Sequence, residues 1–88
     1  MAFREDILAV VRAIPAGTAL SYKDVAARAG YPRAFRAVGA LMKKNYDPSV
    51  PCHRVIRADG RAGEYNRGVE KKIALLVSEG YVFFSRAR

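Results

Sequence analysis

A short helical segment, a break at glycine and a second helical segment constrain this chain more than any other feature. Ser21 stands three residues before Asp24, the spacing at which a hydroxyl and a carboxylate cap one helix start from both sides. A short helix is therefore predicted from Ser21, with Tyr22 in its first turn and Gly30 as its end. Pro32 suits the first turn of the next helix, where its fixed φ fits and its missing N–H is not needed. That helix runs to about Lys44, with Phe35, Val38, Leu41 and Met42 on an apolar face and Arg36, Gly39, Ala40 and Lys43 on another. Two helices joined by a tight glycine turn form a helix-turn-helix, whose second helix usually meets DNA. Gly39 in mid-helix costs about 1 kcal/mol relative to alanine, and two reasons for it stand open: close approach of the backbone to a groove, or helix-helix packing.

The rest of the chain supports that unit. Phe3, Ile7, Val10, Val11 and Ile14 recur at helical spacing and predict a first amphipathic helix over residues 3–13, ended by Pro15 and Gly17. Asn45-Tyr46-Asp47-Pro48-Ser49 is turn-forming, Val55-Ile56 has strand character, and the glycine-rich run to Gly68 makes a loop or wing. Val69, Ile73, Leu76 and Val77 mark a last helix, closed by Gly80. Tyr81 to Phe84 is a short strand or a packed tail, and residues 85–88 are frayed and solvated. The fold class expected is mainly α: a winged-helix-like helix-turn-helix with a short β-hairpin wing. Residues 1–88 are expected to form one domain with a modest core.

Charge narrows the partner. Sixteen Lys and Arg against eight Asp and Glu give a formal charge of +8, spread along the chain, which points to a polyanion and most commonly to nucleic acid. The alternative is a basic protein without such a partner. A single cysteine excludes an internal disulfide, and neither a signal-peptide core nor a run of membrane-spanning length is present. A cytoplasmic, monomeric protein without membrane association is expected.

That cysteine, Cys52, is followed directly by the only histidine, His53, and then by Arg54, all after Pro51. A thiol becomes a strong nucleophile as thiolate, its free pKa of roughly 8.5 lowered by a base or a positive field. Alone, the pair reads first as a small buried hydrophobe beside a structural imidazole, and the rest of the chain overturns that reading. Adjacent Cys-His without a second pair lacks metal-ligand spacing, so no metal site is expected. No oxyanion-hole motif accompanies it, which argues against a cysteine hydrolase.

The motifs together resemble one family. Ile14-Pro15-x-Gly17 with Ser21-Tyr22, then Arg36-Ala37-Val38-Gly39, Asn45, Pro51-Cys52-His53-Arg54-Val55, Tyr65 and Glu79-Gly80 follow the order of the O6-alkylguanine-DNA alkyltransferases, in their C-terminal DNA-binding and active-site domain. The resemblance implies a DNA repair protein that moves an alkyl group from guanine O6 to Cys52, once per molecule and without a cofactor. His53, through a water, would act as base, Glu79 would orient the imidazole, and Asn45 would brace the turn carrying the site. Arg36 would fill the duplex in place of a flipped-out nucleotide, and Tyr22 would help rotate it. Ala37, Gly39, Ala40 and Lys43 would complete the surface toward the minor groove of double-stranded DNA carrying O6-alkylguanine. Met42, Tyr65, Asn66 and the backbone carbonyls of Cys52 and Val55 would surround the base.

The chain departs from the family's pattern in three ways. Complete repair enzymes usually carry an additional amino-terminal domain. The turn between Asn45 and Pro51 is one residue shorter than in many members, and Glu64-Tyr65-Asn66-Arg67-Gly68 replaces a run that more often has serine and paired glycines after the tyrosine, leaving a more basic loop. Two other functions compete. A non-catalytic alkyltransferase-like protein would bind O6-alkylguanine and flag it for another pathway, but such proteins commonly carry tryptophan at the position of Cys52. A plain winged-helix regulator would leave Cys52, His53 and Glu79 without a purpose.

Overall fold

In the computed structural model, which describes residues 2–83, four α-helices surround one short parallel ladder. The helices are α1 (Ala2–Arg12), α2 (Tyr22–Arg28), α3 (Phe35–Lys44) and α4 (Val69–Ser78); the strands are β1 (Leu20–Ser21) and β2 (Val55–Ile56). Ile7 and Val11 of α1, Val25 of α2, Val38 of α3 and Val55 of β2 are wholly buried and form the centre of the core. The spacing of the apolar residues in α1 and α3 thus becomes the packing of those helices.

The predicted cap of α2 is present in both directions. The Asp24 amide donates to Ser21 Oγ at 3.0 Å, and the Ser21 amide donates to the Asp24 carboxylate at 3.4 Å. Pro32 does not open α3. The Ala34 amide donates to the Tyr31 carbonyl at 2.9 Å, closing a turn over Pro32 and Arg33, and the helix begins only at Phe35. The φ that suits proline to a first helical turn suits it equally to the second position of a β-turn. Phe35 is 37 % exposed, with the Lys23 ammonium 5.8 Å from its ring centroid, so it stands outside the apolar face expected for α3.

Val55-Ile56 is a strand, as expected, but its partner differs. Leu20 pairs with Val55 and Ser21 with Ile56 in parallel register, and the wing supplies no hairpin strand. The wing is instead held by a turn in which the Arg57 amide donates to the Arg61 carbonyl at 2.9 Å and the Gly60 amide to the Arg57 carbonyl at 3.0 Å. The ladder fixes the segment after Cys52 against the start of α2, and this brings the two most informative motifs together.

Of the four apolar residues that mark α4 in the sequence, only Leu76 is buried. Val69, Ile73 and Val77 are exposed, and the inward face carries Leu76 and Lys72, both 0 % exposed. The Tyr81 amide donates to the Leu76 carbonyl at 3.0 Å and the Gly80 amide to the Val77 carbonyl at 2.9 Å, with Gly80 at φ 96°. This is the Schellman closure, whose left-handed residue is usually glycine. Tyr81 and Phe83 pack edge to face at 4.9 Å without forming a strand; Phe84 and residues 85–88 lie outside the described residues.

Candidate active site and nucleic-acid interface

Pro51 turns the chain into a single 3-10 turn over Cys52–Arg54, closed by the Arg54 amide donating to the Pro51 carbonyl at 2.9 Å. The turn puts Cys52 inward, 7 % exposed among core side chains, and leaves His53 and Arg54 facing the carboxyl end of α4. There Glu79 receives both. His53 Nε2 lies 2.9 Å from Glu79 Oε2, and Arg54 donates from Nε to Oε1 at 2.9 Å and from Nη2 to Oε2 at 2.8 Å. Because a carboxylate can only accept, the Nε2–H tautomer is favoured and Nδ1 keeps its lone pair, free to take a proton.

The third Arg54 donor, Nη1, reaches the Ile14 carbonyl at 2.8 Å. One guanidinium therefore joins the loop after α1, the cysteine turn and the end of α4. The Arg54 fork, assisted by His53, holds the Glu79 carboxyl down to about 2 against the opposing effect of burial. Sequence reasoning took Arg54 for a positive charge beside the sulfur; its charge is in fact committed to Glu79. Its bond is to the backbone carbonyl of Ile14, whose side chain is buried in the core as the apolar spacing of α1 requires.

Asn45 ends α3 and its side chain spans the following turn, with Nδ2 donating to the Asp47 and Val50 carbonyls and Oδ1 accepting from the Asp47 amide, each at 3.4 Å. Asn66 from the wing donates to the Asn45 carbonyl. One donor of Asn66 is therefore occupied within the protein, and its Oδ1 is buried without a partner. Met42 packs in the core cluster with Cys52 and is not among the residues that line the cavity beside the sulfur; Val55, expected to act through its backbone carbonyl, has its side chain wholly buried in the same cluster. Tyr65 does line that cavity, which measures about 350 Å³ and is also bounded by His53 and the 45–51 turn.

The residues read as facing DNA gather on the other side of Tyr22. Tyr22, Arg36, Gly39, Ala40 and Lys43 line one depression of about 480 Å³, closed by Arg57, Gly63 and Glu64 of the wing. Ala37 is exposed beside it. A side chain on Gly39 would meet the Tyr22 ring at 4.0 Å, an ordinary contact, so the glycine keeps the floor of the depression open over Tyr22. Lys43 pairs with Glu64 at 2.8 Å between two exposed side chains. Such a pair is weak and exchangeable, so it bridges α3 and the wing without taking Lys43 from an anionic partner.

The fold and the sequence match known proteins. The family model described as "6-O-methylguanine DNA methyltransferase, DNA binding domain" matches residues 2–81. The chain belongs to this family. A methylated-DNA--protein-cysteine methyltransferase from Methanothermobacter thermautotrophicus is 49 % identical over 79 residues, which are 89 % of this chain and 44 % of that protein. The chain thus spans less than half the length of this curated relative. The crystal structure of Mycobacterium tuberculosis OGT in complex with DNA superposes with TM-score 0.85 at 38 % identity, over 91 % of this chain and 50 % of that one. Schizosaccharomyces pombe ATL in complex with DNA, 28 % identical, gives TM-score 0.84 over 97 % of this chain and 82 % of the other.

In this family member the sequence reading missed Lys72. It is 0 % exposed, its ammonium donates to the Glu64 carbonyl at 3.1 Å and to the Tyr22 hydroxyl at 3.5 Å, and it lies 5.7 Å from the Tyr22 ring centroid. Burial brings Lys72 down to about 8, partly offset by the charge of Cys52. Burial raises Tyr22 and Tyr65; the Glu64 carboxylate adds to the rise at Tyr22, and a thiolate at Cys52 would add to both. The sulfur thus has two tyrosines and a lysine in its electrostatic reach. Among the described residues no group of three or more metal-ligating side chains occurs, and no helix is long and apolar enough to cross a membrane.

Proposed function

We propose that this protein repairs O6-alkylguanine in double-stranded DNA by moving the alkyl group to Cys52. The observation that carries the reading is the clamp of His53 and Arg54 on Glu79 next to a buried, unpaired cysteine. His53, oriented through Nε2, takes the thiol proton at Nδ1 through a water. The Sγ–carbon bond forms as the O6–carbon bond breaks, and the proton held by His53 passes to the released guanine. The thioether has no neighbouring group able to cleave it, so each molecule acts once and needs no cofactor.

A paired base must leave the stack first, at a cost of a few kcal/mol. Arg36, at the rim of the depression, fills the gap in the duplex, and Tyr22 at its floor guides the nucleotide from the minor groove. We take residues 1–88 as one cytoplasmic, monomeric unit, the counterpart of the carboxy-terminal domain in complete enzymes. A second reading, lesion binding without transfer, is favoured by the likeness to the S. pombe ATL structure; the retained Cys52 speaks for chemistry. Intact-mass spectrometry after mixing with an O6-methylguanine duplex decides between them. One methyl group added to the wild type and none to Cys52→Ala is the expected result; an unmodified wild type that still binds the lesion selects the second reading.

A further inference from the structure

The 45–51 turn and Arg67 of the wing both line the 350 Å³ cavity that holds Cys52 and His53, and Arg12 at the end of α1 lines it too. A methyl group has roughly the size of a water molecule, whose share of liquid volume is about 30 Å³, so it would occupy a small part of this space.

Three guanidiniums line the cavity, and their environments differ. Arg54 is fully engaged by Glu79 and the Ile14 carbonyl. Arg67 lies 5.6 Å from the Tyr46 ring centroid, reaches the Tyr46 carbonyl with Nη2 at 3.5 Å and also approaches the Tyr65 hydroxyl as a donor. Arg12 lines the cavity together with Asp47, whose carboxylate already accepts from the Ser49 amide and hydroxyl at 2.9 Å each. Among the described residues neither Arg12 nor Arg67 has a carboxylate at ion-pair distance. Tyr65 responds to both the Cys52 and Arg67 charges, so it stands within reach of the two.

We propose that this cavity is an alkyl-group pocket selective for O6 adducts that carry a carboxylate, with Arg67 and Arg12 as its anion-binding side chains. The inference rests on the alkyl-transfer reading and names its substrate class. A carboxylate is the planar, two-oxygen acceptor that a guanidinium fork matches. It also presents a difficulty that these arginines relieve: a thiolate approaching a carbon next to a carboxylate meets a like charge. With O6-carboxymethylguanine the Sγ–CH2 bond forms, the O6–CH2 bond breaks, and the carboxylate remains unchanged against the guanidiniums. The proton balance is that of methyl transfer.

The test uses three duplexes, carrying O6-methyl-, O6-carboxymethyl- or the neutral, equally sized O6-carbamoylmethylguanine. Single-turnover alkylation of Cys52 is followed by intact mass for wild type, Arg67→Gln and Arg12→Gln. In the wild type the carboxymethyl to carbamoylmethyl rate ratio should exceed that of Arg67→Gln by about tenfold, with methyl transfer within about twofold. Arg12→Gln should show a smaller loss in the same direction. Ratios unchanged by both substitutions would overturn the proposal. Absence of methyl transfer in the wild type would instead remove the alkyl-transfer reading. Equilibrium binding of the same duplexes would then read the charge preference directly, with equal affinities for the charged and neutral adducts counting against it.

Discussion

The backbone carbonyl of Glu79 lies 3.0 Å from the position that a side-chain carbon on Gly17 would take. Gly17 has φ +89° and belongs to the loop whose Ile14 carbonyl binds Arg54. The loop after α1 and the end of α4 are therefore pressed together where His53, Arg54 and Glu79 meet. Gly17→Ala should introduce both left-handed strain and a backbone collision, destabilising the protein by roughly 1–3 kcal/mol. Urea unfolding reads the loss, and Cys52 alkylation at a temperature where the variant remains folded should also slow. A variant as stable as wild type would mean that the loop moves freely away from Glu79.

The Glu79 clamp should appear in acid unfolding. The Arg54 fork holds its carboxyl down to about 2 in the folded protein, against an ordinary value of 4.5. Since the folded value is depressed, the unfolded chain binds the proton first as pH falls. The stability from the clamp is fully present above pH 4.5 and disappears as pH falls through about 2. Glu79→Gln should cost roughly 1–3 kcal/mol at neutral pH, a gap constant down to pH 4.5 that closes below it. Urea midpoints for the two proteins across this range provide the check; a gap that persists at pH 2 would remove the ionised carboxylate as its cause.

Local chemistry was legible where neighbours in sequence are also partners in space. The Ser21–Asp24 capping box, the closure at Gly80 and the adjacency of Cys52 and His53 all belong to this kind. Periodicity identified α4 and included its buried Leu76, but did not separate it from Val69, Ile73 and Val77, which satisfy an apolar repeat whether or not another element covers them. The real inward face includes Lys72, which hydropathy counts as surface. Arg54 reaching the Ile14 carbonyl, and two-residue strands pairing in parallel, depend on contacts remote in sequence and have no local signature.

Lys72 should leave an alkaline signature. Its ammonium is brought from 10.5 to about 8 by burial. The folded value is therefore below the unfolded one, and between pH 8 and 10.5 the unfolded chain holds the extra proton, so this group's contribution to stability rises with pH. Relative to Lys72→Met, wild type should gain stability from pH 8 to about 9.5, by roughly 1–2 kcal/mol. Comparing the two proteins cancels Tyr65, which is common to both. Parallel unfolding curves would mean that Lys72 stays solvated in the folded protein.

Arg36 and the His53–Glu79 pair lie in different parts of the molecule, one at the rim of the depression and the other behind Cys52. Under the proposed mechanism they act at different steps, so two substrates separate them. Arg36→Ala removes the group that occupies the duplex after base extrusion, and with extrusion worth a few kcal/mol, duplex repair should fall roughly tenfold to a hundredfold. Free O6-benzylguanine needs no extrusion and should react within about twofold of wild type. His53→Ala and Glu79→Ala should leave DNA binding nearly intact and slow both substrates together, by about 10²- to 10⁴-fold for the base itself. The readout is alkylation of Cys52 by duplex and by free base, side by side in all three variants. Equal losses on both substrates in Arg36→Ala would assign Arg36 to the support of the pocket and withdraw it from base flipping.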